Sequence, residues 1–261
     1  MFDPQQYWND RLTGRFDLVG VGDISQTVNY NKWSYKVTAY VLTKIFAGCL
    51  EKRSNKSVLD IGSGTGFIID LWSKMTTSIT GVDIAEIAIE KLTRKYPAVV
   101  FKQCNAGAEE LPFATGSFGC CSAASVLYHI VDDEQLFNAL KEINRVLEPG
   151  GYFIFSDNFI HSKSLHVTHQ KCRTLEDYEK LVKRAGFEIE SRQSNYVLFN
   201  DPVDSQNRFV KKLWAINTGY SRKYKWFDKI IWPLLYPIEL LLTNIVKESP
   251  AQEVMVCRAV K

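Results

Sequence analysis

The sequence predicts an α/β domain built on a mostly parallel sheet with helices on both faces. Three observations predict it. Ser57-Val-Leu-Asp-Ile-Gly-Ser-Gly-Thr-Gly66 reads as a short buried strand running into a glycine turn, with an apolar helix from Phe67. Ser78-Ile-Thr-Gly-Val-Asp83 reads as a second strand that ends in a carboxylate. Strand and helix patterns then alternate as far as Asp157, which calls for parallel strands joined by right-handed crossovers.

The first 40 residues are rich in aromatics and turn formers, and Gly20-Val-Gly22 reads as a turn. Residues 34–52 carry helical periodicity through Tyr40, Leu42, Ile45, Phe46 and Leu50. Strand one spans 57–61 and its helix 65–75. Strand two spans 78–82, followed by an amphipathic helix over Ala85–Lys95 that Pro97 closes. Val99–Gln103 is strand three. Leu111-Pro-Phe113 and Gly116-Ser-Phe118 lead into strand four at 119–124. A helix at 133–147 and a tight turn at Pro149-Gly150-Gly151 precede strand five, Tyr152–Phe155. Glu176–Gly186 reads as a helix with a glycine stop, Phe187–Glu190 as a strand and Glu253–Cys257 as the last strand. The long segment between those two strands has its own helices, near 204–217 and 227–247.

The chain has 261 residues, 46% hydrophobic and 23% charged, an ordinary globular balance. Its net charge of +3 is too small to imply a nucleic-acid partner. The six cysteines are scattered without a CxxC pair and read as reduced thiols in a cytoplasmic protein. The N-terminus has no basic segment followed by an apolar one, so no secretory signal is expected. Ile230–Val246 is apolar but contains Pro233, Pro237 and Glu239, and falls short of a membrane span.

Strand, glycine turn and helix form a nucleotide-binding arrangement. Glycine lets a ligand approach the backbone, and the helix start offers N–H groups. The GxGxG spacing is neither the dinucleotide fingerprint nor a phosphate loop. An acid about 20 residues beyond such a turn commonly binds ribose hydroxyls. Val58–Gly66 and Gly81-Val82-Asp83 resemble the first and second motifs of class I S-adenosylmethionine-dependent methyltransferases. Leu111-Pro-Phe113, Ser117-Phe118 and Leu147-Glu-Pro-Gly-Gly151 continue the resemblance in family order over residues 55–160. Gly119 departs from it, because the family usually places Asp there; this leaves the local strand geometry open.

The resemblance implies a Rossmann-like seven-stranded sheet, mostly parallel, with an antiparallel last strand and a helical insertion between the last two strands. On this reading residues 1–54 form an arm covering the cofactor, 55–194 the cofactor-binding domain, 195–250 a helical cap and 251–261 the final strand. S-adenosylmethionine is the implied cofactor, and no metal is required. Asp60 would take the ammonium of its methionine tail. The turn at Gly62, Ser63, Gly64 and Gly66 would take the carboxylate, and Asp83 the ribose. Ile84 would lie beside adenine, with Asn105 and Ala106 at its exocyclic edge and Ser125 at the end of strand four. A helix N-cap is the alternative role for Asp83, and a turn role for Asn105.

Methyl transfer to a hydroxyl needs a positioned acceptor and a base. His129 is the first candidate base, since imidazole titrates near neutrality; packing is its alternative. Asp157 is the second. Tyr30, Tyr128, Asn158, His161 and His166 are acceptor-site candidates. All four histidines, His129, His161, His166 and His169, fall in two loops after strands four and five. The expected acceptor is a hydroxyl of a small molecule or glycan-type compound, including a lipid-linked one. N- or C-methylation and a non-catalytic binding protein are the alternatives. Ser125-Val126-Leu127-Tyr128 stands where base-methylating enzymes carry Asn/Asp-Pro-Pro-Tyr/Phe, so a nucleic-acid acceptor is not expected.

Residues 208–229 hold Arg208, Lys211, Lys212, Arg222, Lys223, Lys225 and Lys229 against Asp228 alone. That segment is therefore +6, leaving −3 for the rest of the chain. Trp214, Tyr220, Tyr224, Trp226 and Phe227 are interleaved. With the apolar run after it, residues 208–246 read as a peripheral membrane contact at the inner face of a membrane, a homodimer interface, or a helix pair packed on the core.

Overall fold

The computed structural model describes residues 2–161, 163–167 and 169–261. Residues 2–51 are mainly helical. Helix α1, Pro4–Gly14, starts where Asp3 caps the Gln6 N–H and Pro4 sits in the first turn; α2, Leu18–Val21, starts where Asp17 accepts from Val19 and Gly20. Helix α3, Val28–Glu51, is capped by Thr27 and begins well before the expected residue 34. The side chains of this N-terminal region supply its turns. Arg11 donates to the carbonyls of Gly20 and Gly22, both at 2.5 Å, and so fixes the Gly-Val-Gly segment.

Then come β1 (Val58–Ile61), α4 (Phe67–Trp72), β2 (Ile79–Asp83), α5 (Glu86–Lys95), β3 (Val100–Gln103) and β4 (Phe118–Ala124). A 3₁₀ turn, Leu127–His129, leads to α6 (Asp133–Val146) and β5 (Leu147–Asp157). Pro149-Gly150-Gly151 lies within β5 as an irregularity, between the pairs Phe118–Leu147 and Cys120–Tyr152. A small hairpin follows, β6 (Leu165–Val167) with β7 (Gln170–Cys172). It was not legible in the sequence, because three-residue strands show no alternation. Next are α7 (Leu175–Arg184) and β8 (Phe187–Tyr196), which runs six residues past the expected Glu190. Helices α8 (Arg208–Lys223) and α9 (Lys225–Ile245) separate β8 from β9 (Gln252–Ala259).

The seven-stranded sheet has the order β3-β2-β1-β4-β5-β9-β8. All pairs from β3 to β5 are parallel, and β9 lies antiparallel between β5 and β8. Strand order reverses between β1 and β4, so the crevice for a ligand opens beyond the carboxyl ends of those two strands. Gly119 has a physical reason here. A Cβ on it would meet the carbonyl oxygen of Asn55 at 2.1 Å, while its own N–H donates to Ser57 O. The chain before β1 occupies the space that an aspartate side chain would need.

Two apolar layers sandwich the sheet. One centres on Leu59, Cys121, Phe153, Phe155, Leu140 and Tyr178. The other packs α3 and α4 on the opposite face, with Phe46 stacked on Trp72 at 3.9 Å. A third cluster joins the start of α3 to the insertion through Tyr30, Phe199 and Trp232. The Glu239 carboxylate of α9, fully buried, accepts from the amides of Val197, Leu198 and Phe199 and so ties the insertion to the end of β8. All six cysteines are free and buried.

Candidate active site

The glycine turn is held in shape by the strand next to it. Gly62, Gly64 and Gly66 all have positive φ, at 70°, 52° and 89°, a region that side-chain-bearing residues rarely adopt. The N–H groups of Gly62 and Ser63 donate to Val82 O, and Ser63 Oγ donates to Asp60 O. Asp83 lies at the centre. Its Oδ2 accepts from Gly64 N–H at 2.7 Å and its Oδ1 from Ala85 N–H at 2.9 Å. Burial raises its pKa, and those amides pull it back. Asp83 thus caps the entry to α5 and braces the turn at once.

Asp60 is fully buried. Its Oδ1 accepts from Ser122 Oγ at 2.8 Å, and that hydroxyl in turn accepts from Trp72 Nε1. Its Oδ2 has no partner among the described residues. Burial pushes its pKa up to about 7. A buried carboxylate oxygen without a donor costs stability unless something charged or polar completes it. Ile84 is half-buried and its carbonyl accepts from Gln103 Nε2. Asn105 closes a turn by accepting from Gly107 N–H, which leaves its oxygen a second lone pair; Ala106 packs on the core beside it.

Ser125 has φ 59°, the one positive φ at a non-glycine among the described residues. Such strain persists only where the surroundings enforce it, and it gathers at functional sites. Ser125 N–H donates to Ser156 O and Oγ, and Ser125 Oγ accepts from Gln252 Nε2. Gln252 is held by Asn195, so the β8–β9 hairpin sets the end of β4. Nothing in the sequence marks Gln252 or Asn195.

The N-terminal helices lie on these strand ends. Leu12 packs on Ala85 and Ala88, and Asn9 accepts from Ile87 N–H. Val21 sits where it would touch a Cβ on Gly64. Tyr35 of α3 packs edge-on against Phe67, the first residue after the turn, and its hydroxyl makes no hydrogen bond among the described residues. Its place within α3's periodicity gave no hint of that position.

His129 sits in an aromatic nest. Trp8 meets it edge-on at 5.0 Å, Tyr128 lies at 4.4 Å and His169 is stacked at 6.0 Å. Its Nδ1 is 3.0 Å from the carbonyl oxygen of His169. A carbonyl only accepts, so Nδ1 carries the proton and Nε2 keeps a lone pair. Burial lowers the imidazole pKa to about 4, which keeps the ring neutral at physiological pH. Burial also raises the Tyr128 phenol, so it stays protonated.

Other expected acceptor-site residues lie elsewhere. Asp157 is fully buried, with Oδ1 accepting from Asn158 N–H and Oδ2 from the Tyr178 hydroxyl. Burial raises its pKa to about 7. It anchors α7 to β5 and is corrected from base to internal bracket. Tyr30 is likewise corrected: it is buried against Trp214 and Trp232, and its hydroxyl donates to Phe199 O. His161 pairs with Asp204 at 2.6 Å on the surface, and His166 is exposed opposite Lys171 in the small hairpin. Neither is brought to His129. Asn158 donates from Nδ2 to Cys172 Sγ, and its buried Oδ1 has no partner among the described residues. Those residues also contain no group of three or more His, Cys, Asp or Glu able to hold a metal ion.

The site fits S-adenosylmethionine on its own chemistry. It has an orphaned buried carboxylate oxygen for an ammonium, a left-handed glycine turn a ligand can approach, and a carboxylate at the end of β2. The comparisons agree. The family described as "Methyltransferase domain" matches residues 59–155. A "Probable S-adenosylmethionine-dependent methyltransferase" of Mycolicibacterium smegmatis is 29% identical over 196 residues, 73% of this chain and 71% of that protein. The 27-O-demethylrifamycin SV methyltransferase of Amycolatopsis mediterranei is 30% identical, covering 58% of this chain and 61% of its own. A ubiquinone/menaquinone biosynthesis C-methyltransferase of Hahella chejuensis is 37% identical over 38% of this chain and 41% of its own. The chain thus spans less than two thirds of the latter two. Among solved structures, an S-adenosylmethionine-dependent methyltransferase from Clostridium acetobutylicum superposes with TM-score 0.57 at 12% identity, over 87% of this chain and 92% of that one. A [4+2]-cyclase superposes with TM-score 0.56 at 19% identity, over 84% and 80%, so the fold by itself does not fix the reaction. Residues 59–155 match the methyltransferase domain family, and the sheet order, glycine turn and matched sequences are those of class I S-adenosylmethionine-dependent methyltransferases.

Proposed function

We propose that the chain methylates a hydroxyl group on a small molecule, with His129 as the general base. The observation that carries this reading is the tautomer of His129: its Nδ1 proton is committed to the His169 carbonyl, which leaves Nε2 as a proton acceptor. S-adenosylmethionine, when bound, supplies the electrophilic methyl carbon. Asp60 would hold the ammonium of that cofactor and Asp83 its ribose. His129 is a weak base, but the hydroxyl O–H becomes strongly acidic as its oxygen forms a third bond, to the methyl carbon, and takes on oxonium character. A neutral imidazole with a low pKa can therefore accept the proton late in the transfer. The aromatic nest of Trp8, Tyr128 and His169 suits an acceptor with an apolar or ring-shaped body. A sugar hydroxyl of a glycan-type or lipid-linked acceptor falls within the same chemistry.

The rifamycin relative supports an oxygen acceptor by its name. The quinone relative supports a second reading, methylation of an aromatic carbon beside a phenolic hydroxyl, in which His129 would take the phenolic proton. Isotope-labelled methyl transfer to a panel of phenols, hydroquinones and glycosides, with the product carbon located by NMR, separates the two. The expected label is a methoxy carbon. A label on ring carbon or on nitrogen would overturn the hydroxyl assignment. On this reading the N-terminal arm covers the cofactor, and the insertion at 195–250 caps the acceptor side.

A further inference from the structure

Helix α9 packs inward on one face and is apolar on the face that points out. Inward lie Trp232, Glu239 and Thr243, all buried. Outward lie Trp226, Ile230, Leu234, Ile238, Leu241 and Ile245, each between 47% and 64% exposed. Their spacing of three and four residues puts them in one stripe along a helix about 31 Å long. From Ile230 to Val246 the single charged side chain is Glu239, and it is turned in to the Val197–Phe199 amides. Helix α8 adds a shorter stripe of exposed residues, Phe209, Leu213, Ile216 and Tyr220, with exposed Lys212 and Lys223 alongside. Tyr220 touches Phe227 of α9 at 5.8 Å between ring centres.

The charge beside these stripes is unspent. None of the seven basic residues of 208–229 forms an ion pair among the described residues. Asp228, the one acid of that segment, accepts from Thr27, Ser221 and Trp232 and is thereby occupied within the fold. Among the described residues no helix is long and apolar enough to cross a membrane.

We propose that the α8–α9 hairpin lies flat on an anionic lipid surface, with the α9 stripe in the acyl boundary and the flanking lysines and arginines among the headgroups. Exposed apolar stripes and uncompensated positive charge are the two terms that together hold an amphipathic helix at an interface. A two-fold dimer through the same face would instead set this basic segment close to its own copy, which like charges oppose. The inference rests on the hairpin surface alone and stands whether or not the acceptor is a hydroxyl.

The test is co-sedimentation of the full chain with phosphatidylglycerol-containing vesicles and with pure phosphatidylcholine vesicles, at low and high salt. Binding is expected to the anionic vesicles, at least ~10-fold stronger than to phosphatidylcholine and weakened by salt. Leu234→Glu with Leu241→Glu is expected to weaken it by ~10-fold or more, and so is Lys212→Glu with Lys223→Glu. These side chains are exposed, so the variants should keep the wild-type circular dichroism and bind S-adenosylmethionine unchanged. Absence of sedimentation at low salt would overturn the proposal. So would binding that the Leu234→Glu, Leu241→Glu variant retains in full, or a stable solution dimer that the same variant converts to monomer.

Discussion

Replacing His129 with alanine is expected to lower turnover on a hydroxyl acceptor by ~10²–10⁴-fold, the usual contribution of a positioned general base. Affinity for S-adenosylmethionine should change little, because Asp60, the glycine turn and Asp83, which would hold the cofactor's charged tail and ribose, sit on β1, β2 and the loop after β1, while His129 follows β4. The pH profile is the sharper readout. A free imidazole would lose its basic form below about pH 6.5. Burial lowers the His129 pKa to about 4, so the wild-type rate should hold its plateau well below neutrality and fall only as pH approaches 4. His129→Ala should remove that acid limb together with the rate. The same shift works on stability in the opposite direction to the usual histidine pair. The unfolded chain takes up the proton from about pH 6.5 downwards, and the folded chain resists until about 4. Stability contributed by the neutral buried ring is thus present above 6.5 and drains away as pH falls through that window, so circular dichroism must accompany the rate measurement. A loss below about threefold in a folded His129→Ala protein would leave the residue a packing group.

Asp83→Ala is expected to weaken S-adenosylmethionine binding by about 1.5–3 kcal/mol, tenfold or more, the range for hydrogen bonds to a charged group. Two effects add. The ribose loses its carboxylate, and Gly64 N–H loses the acceptor at 2.7 Å that holds the turn in its left-handed shape. Asp83→Asn keeps an acceptor oxygen for one of the two amides and should fall between alanine and wild type. Unchanged affinity in a folded Asp83→Ala protein would remove both roles.

The central fold was legible because its signals are local. A strand, a glycine turn and a carboxylate twenty or so residues on are all set by short-range sequence, and so is the antiparallel last strand once the family resemblance is granted. The site beyond the cofactor was legible only in part. His129 was found as a titratable side chain after a strand, but its tautomer depends on a carbonyl 40 residues later in the chain. Asp157 looks the same in sequence as a catalytic acid. Only the fold reveals that Tyr178, brought in by α7, takes its second oxygen. Tyr30 stands in an aromatic-rich segment and reads as an acceptor-site residue, yet Trp232 and Phe199, some 170 to 200 positions away, make it core. Helices α1 and α2, and the first turns of α3, were missed for a related reason. Their starts are set by Asp3, Asp17 and Thr27 caps and by the Arg11 bridge, which interrupt the apolar periodicity that flags a helix.

The central claim is that the glycine turn, Asp60 and Asp83 form a working S-adenosylmethionine site. Isothermal calorimetry of the full chain with S-adenosylmethionine, and with its demethylated product S-adenosylhomocysteine, tests it most directly. The account predicts one site per chain and micromolar binding of both, weakened for both by Asp83→Ala. No heat of binding for either compound, from protein whose circular dichroism shows the mixed α/β fold, would contradict it.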